Sequence, residues 1–111
     1  MLFRSPALFC SAAVGWMLKN KAGKKRVVLE LGGNAGVIVE PDADLDQAAD
    51  RCAVGGYVYS GQTCISVQRI YAHESVYQKF LDKLLQRVAA LKAGNPAEDT
   101  TVIGQIGRAH V

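Results

Sequence analysis

Runs of aliphatic residues alternate along this chain with stretches in which apolar residues recur at helical spacing. Ala12 to Lys21 is apolar and then basic, the body of a short helix closed by Gly23 and the two lysines that follow. Arg26 to Leu31 puts three consecutive aliphatics ahead of Glu30, which predicts a short buried strand ended by Gly32-Gly33. A second strand is predicted over Gly36 to Val39, stopped by Glu40-Pro41. Asp44 then offers a helix N-cap answered by Gln47, and Leu45, Ala48, Ala49, Cys52 and Ala53 mark one apolar face. Cys52 on that face reads as a small buried hydrophobe. The helix runs into Gly55-Gly56 and breaks at Ser60-Gly61, and Val67 to Ala72 reads as a third strand. For the last helix, Ser75 and Gln78 predict a capping box. Its apolar stripe is Tyr77, Phe80, Leu81, Leu84, Leu85, Val88 and Leu91, with Gly94 as C-terminal cap and Pro96 beyond it. Strands alternating with amphipathic helices predict an α/β protein with parallel pairing.

Composition narrows the function classes. Of 111 residues, 50% are hydrophobic and 21% charged, which excludes disordered, collagenous and coiled-coil chains. The longest apolar run, Ala12 to Leu18, is interrupted by Gly15 and falls far short of the roughly 20 residues a membrane span requires. Met1 to Ser5 and Ile106 to Val111 read as translated sequencing adapter and are set aside. Without Arg4 and Arg108 the net charge falls from +3 to +1, which gives no support to nucleic-acid or membrane partners. The cations from Lys19 to Arg26 read as a solvated helix end and loop. Cys10, Cys52 and Cys64 are an odd number without metal-type spacing, which argues against disulfides and zinc and fits a reducing, cytoplasmic setting.

Two stretches carry chemistry that packing explains poorly. Glu30 ends an apolar strand, where a charged carboxylate is costly to bury alone, and the paired glycines after it let backbone pass close to a ligand. Ser60 to Cys64 is a glycine turn presenting a thiol at its end, where it can be exposed and activated. Taken singly, a strand-end glutamate is commonly a satisfied structural carboxylate and a loop cysteine commonly inert. Together they form a nucleophile and a carboxylate base, the minimal set for acyl chemistry through a thioester.

Val27-Val28-Leu29-Glu30-Leu31-Gly32-Gly33-Asn34, then Pro41-Asp42-Ala43-Asp44-Leu45-Asp46, then Gly61-Gln62-Thr63-Cys64 closely resembles the NAD(P)-dependent aldehyde dehydrogenase superfamily, and Gly94-Asn95-Pro96 matches as well. The resemblance runs from about Ala13 to Gln105 and is that of an internal fragment. It implies the end of a Rossmann-like cofactor domain over 6–33 and the start of an α/β catalytic domain over 34–105. It implies oxidation of an aldehyde to a carboxylic acid with NAD or NADP. In that scheme Cys64 is the nucleophile and its backbone N–H helps hold the oxyanion. Glu30 is the base that activates water for thioester hydrolysis. Leu31 and Gly32 lie beside the nicotinamide, Ser11 belongs to the phosphate-binding helix start, and Thr63 and Ile65 line the aldehyde pocket. No metal is implied. The full-length parent is expected to be a homodimer or homotetramer, and the fragment to be inactive by itself with sheet faces left exposed.

Cys10 departs from the family, standing where a glycine allows close phosphate approach. A non-catalytic relic of the same fold is one alternative. Another is a cofactor-free cysteine hydrolase, which would need a histidine near the thiol. His73 is the histidine outside the set-aside ends, and its position after a strand reads as surface.

Overall fold

A computed structural model describes residues 7–9 and 11–104. Met1 to Pro6, Cys10 and Gln105 to Val111 lie outside the described residues, so the readings of both ends and of Cys10 fall there. The chain divides between Gly33 and Asn34 into two units.

The first unit is a strand–helix–strand element. β1 (Ala7–Phe9) pairs in parallel with β2 (Val28–Glu30), and α1 (Ala12–Lys21) connects them. The helix has the predicted bounds, with Lys19 and Lys21 in its last turn, where cations complement the helix dipole. Gly23 follows at φ +60°, a left-handed geometry that suits glycine. The predicted strand 26–31 contracts to Val28–Glu30, and among the described residues its register runs from Ala7 opposite Val28 to Phe9 opposite Glu30. Nor is it buried: Val28 is 54% exposed. Lys19, Lys21, Lys24, Lys25 and Arg26 are all exposed, a solvated cationic stretch. Val14, Trp16 and Met17 on α1 are exposed too.

In the second unit, β3 (Ala35–Val39) and β4 (Val67–Ala72) pair in parallel, with a register irregularity between Ala35 and Gly36. α2 (Leu45–Tyr57) lies in the crossover between them, and α3 (Glu74–Ala89) packs beside it. The Asp44 carboxylate caps α2, accepting from the N–H groups of Asp46 at 3.0 Å and Gln47 at 3.1 Å. Val39, Ala49, Cys52, Val76 and Phe80 form the core, so Cys52 is the buried hydrophobe its helical spacing implied. At the surface Lys83 pairs with Asp46 at 2.7 Å, and Arg87 bonds Asp50 and Asp46. The Lys83 hydrogen bond holds the Asp46 carboxyl below its ordinary range.

The last helix departs from expectation at both ends. Ser75 is not its cap. His73 is, with Nδ1 accepting from the Ser75 N–H at 3.2 Å, while Gln78 donates to Asp82 at 2.8 Å. The cause is the sheet: the His73 N–H donates to the Val39 carbonyl at 3.0 Å, fixing the end of β4 so that the helix starts at once. Starting there buries Val76 with Phe80 and leaves Tyr77 and Leu85 more than half exposed. At the other end the helix closes at Ala90, and the Gly94 N–H bonds the Ile103 carbonyl at 3.0 Å instead of capping. None of the described helices is long and apolar enough to cross a membrane.

Candidate active site

The chemistry-bearing residues of the first unit gather at one edge. Because β1 and β2 run in parallel with Phe9 opposite Glu30, both strands end together. Ser11, Glu30, Leu31 and Gly32 all follow at or just beyond those carboxyl ends, where open α/β sheets bind ligands. Glu30 is exposed, Leu31 is half-buried, and a Cβ built on Gly32 meets nothing within 4 Å. Ser11 occupies the N-cap position of α1 in extended geometry, yet its hydroxyl makes no cap bond, and the first turn holds no acidic side chain. The N–H groups of that turn lack helical partners and point their positive end outward. Such a helix start fits a phosphate group.

In the second unit the thiol sits on a turn held from below. After α2 the chain makes a tight turn over Val58–Gly61, in which Tyr59 and Ser60 take left-handed φ values of 51° and 55°. Gly61 continues at φ +75°, and a Cβ on it would stand 3.0 Å from the Gly56 carbonyl oxygen. The Gln62 N–H returns to Tyr59 O at 3.1 Å. A second turn follows at once, closed by the Ser66 N–H on Thr63 O at 3.1 Å, with Cys64 and Ile65 at its two central positions. Cys64 is exposed and Ile65 is 78% exposed. Beneath them Ser66 is 1% exposed and its hydroxyl donates to the Gly56 carbonyl at 3.3 Å. Thr63, Cys64 and Ile65 therefore share one turn. The Thr63 hydroxyl is buried without a hydrogen-bond partner.

The remaining candidates separate cleanly. Burial pushes the Cys52 thiol up, away from the thiolate form that reacts. His73 is exposed, with Nδ1 occupied at the α3 cap and 2.8 Å from the Ser75 hydroxyl. A cleft of about 410 Å³ runs beside the loop before the thiol, lined by Tyr59, Ser60, Gln62, Pro96, Thr101 and Val102. No group of three or more potential metal ligands occurs among the described residues. Sequence reasoning did not single out Ser66; the available signal is a lone hydroxyl between Ile65 and Val67 at the mouth of a strand.

Residues 6–110 match the sequence model of the aldehyde dehydrogenase family. The chain is 44% identical over 98 residues to a 3-sulfolactaldehyde dehydrogenase of Priestia megaterium, covering 88% of this chain and 20% of that protein. Among solved structures, it is similar to an NAD-dependent aldehyde dehydrogenase of Sinorhizobium meliloti, with TM-score 0.83 and 39% identity over 87% of this chain and 20% of that one. It is likewise similar to a glyceraldehyde-3-phosphate dehydrogenase of Methanocaldococcus jannaschii solved with NADP, with TM-score 0.83 and 38% identity over 87% of this chain and 21% of that one. The chain thus spans about a fifth of the length of the relatives it matches.

Proposed function

Since the chain belongs to the aldehyde dehydrogenase family, we propose that it is a segment of an enzyme that oxidises an aldehyde to a carboxylic acid with NAD or NADP, with Cys64 as nucleophile and Glu30 as general base. The observation that carries this reading is the Thr63–Ser66 turn, which lifts an exposed thiol above a buried, hydrogen-bonded foot. The two units would be the end of the cofactor domain and the start of the catalytic domain.

The Cys64 thiolate adds to the aldehyde carbon, forming a C–S bond and moving the carbonyl electron pair onto oxygen. The Cys64 backbone N–H, at the top of its turn, donates toward that oxygen. A bound NAD or NADP would supply the hydride acceptor for this carbon. What remains on Cys64 is a thioester. Glu30 takes a proton from water, the hydroxide attacks the thioester carbon, and the C–S bond breaks to return the thiolate and release the acid. Aldehyde, oxidised cofactor and water thus give acid, reduced cofactor and a proton. Ser11 and the open N–H groups of α1 would hold cofactor phosphate, Leu31 and Gly32 would flank the nicotinamide, and Thr63 and Ile65 would border the aldehyde. Working in the cytoplasm as a homodimer or homotetramer belongs to the same reading.

The test uses the full-length polypeptide that carries this segment. Reduced cofactor formed from an aldehyde is followed by absorbance in the wild type and in Cys64→Ala. Loss of at least about 1,000-fold in kcat is expected for removal of a covalent nucleophile. A Cys64→Ala enzyme of wild-type rate overturns the assignment.

A further inference from the structure

Ser66 is placed to do more than fill space. It is a polar residue at 1% exposure in a buried set that is otherwise apolar. A hydroxyl so deeply buried must find a partner or cost the fold its desolvation. The partner is the Gly56 carbonyl at 3.3 Å, one of the last four carbonyls of α2, which the helix itself cannot satisfy. Gly61 crowds the same carbonyl beside the hydroxyl: a Cβ on it would stand 3.0 Å from the Gly56 oxygen and 3.8 Å from the Ser66 hydroxyl. A neighbouring contact is equally close, because a Cβ on Gly55 would meet Val67 Cγ2 at 2.9 Å. The end of α2 and the beginning of β4 therefore clasp the neck of the loop between Gly56 and Ser66. Cys64 rides on that loop, two residues above the clasp, and the Ser66 N–H is itself the bond that closes the turn.

We propose that Ser66 is a positioning residue for Cys64: its hydroxyl, anchored on the Gly56 carbonyl, fixes the foot of the turn and with it the direction of the thiol. The proposal rests on the reading of Cys64 as nucleophile. Reaction geometry tolerates little displacement, since a shift of about 1 Å at the reacting atom can cost on the order of 100-fold in rate. A hydroxyl that touches neither aldehyde nor cofactor can therefore act on kcat through Cys64 alone.

The experiment compares wild type, Ser66→Ala and Ser66→Thr in the full-length polypeptide, reading kcat, the cofactor KM and amide exchange of the peptide spanning 58–66. Ser66→Ala should lower kcat about 10-fold at an unchanged cofactor KM and quicken exchange across 58–66. Ser66→Thr, which keeps the hydroxyl, should recover most of both. Faster exchange with unchanged kcat overturns the proposal, as does unchanged exchange with unchanged kcat, and both leave the role of Cys64 standing. A mere loss of fold gives a lower melting temperature with kcat per folded molecule intact, which also overturns it. If Ser66→Ala does not accumulate, Ser66→Cys, of nearly the same size but a much weaker donor, is read in the same way. Failure of the underlying reading shows separately, as full activity in Cys64→Ala.

Discussion

Gly61 lies so close to Gly56 that a Cβ on it would stand 3.0 Å from the Gly56 carbonyl oxygen, and its φ of +75° is in the left-handed region that favours glycine. Both constraints fall three residues before the thiol. Gly61→Ala should therefore strain the loop by about 1–3 kcal/mol. Amide exchange across 58–66 in the full-length polypeptide should rise at least about 5-fold, with a fall in kcat beside it. Wild-type exchange and turnover in Gly61→Ala would mean that this contact does not hold the loop.

Asp44 is separable from that machinery. Its carboxylate accepts two N–H groups of the first turn of α2, and the site lies at the opposite end of the helix from the Cys64 loop. Asp44→Ala should cost about 1 kcal/mol at that helix start. The check is amide exchange at Asp46 and Gln47, expected to quicken about 5-fold, while Asp44→Asn or Asp44→Ser keeps most of the protection. An unaltered exchange rate in Asp44→Ala would mean that the cap bonds contribute nothing.

Where the chain's own local chemistry decides an element, the sequence reads it well. α1 is bounded by its lysines and Gly23, β4 by its run of Val67 to Ala72, and the α2 cap by Asp44. Cys52 is assigned to the core by helical spacing alone, and the core contains it. The start of α3 is not legible, because a bond from the His73 N–H to Val39 across the sheet decides it, and Ser75 offers equally good cap chemistry. Tyr59 and Ser60 carry no composition signal for left-handed backbone, since neither is glycine or asparagine. The exposure of Val28 escapes the reading for another reason: what covers a strand face is not written in the three residues of the strand. The Cys64 turn is half legible. Gly61 and the thiol announce it, whereas the Ser66 foot depends on a carbonyl ten residues back.

Cys52 and Cys64 should differ in reactivity for a structural reason. Burial raises the Cys52 thiol above its ordinary 9.0, so folding favours its neutral form. With the folded value raised, the contribution to stability is whole below pH 9.0 and is lost as pH climbs through the higher folded value. In the full-length polypeptide at pH about 8, iodoacetamide should modify Cys64 at least about 100-fold faster than Cys52, read by mass of the separated peptides, with the gap closing in denaturant. Above pH 9.0 the urea midpoint of the wild type should fall more steeply than that of Cys52→Ala. Equal labelling of the two thiols under native conditions would contradict the burial that distinguishes them.

Glu30 closes the proposed cycle, and its removal has a signature that loss of the thiol cannot mimic. It ends β2 opposite Phe9, exposed, followed by Leu31 and an open Gly32. A base needed only for water attack leaves the earlier steps intact when it is lost. Glu30→Gln in the full-length polypeptide should therefore still form one equivalent of reduced cofactor in a fast burst and then turn over about 100–10,000-fold more slowly, the range a positioned base contributes. Hydroxylamine, which attacks a thioester without a base, should restore turnover in part and yield the hydroxamate. Cys64→Ala should show no burst under the same conditions. A Glu30→Gln enzyme without a burst would assign the glutamate to an earlier step than hydrolysis, and one with wild-type turnover would remove it from the mechanism.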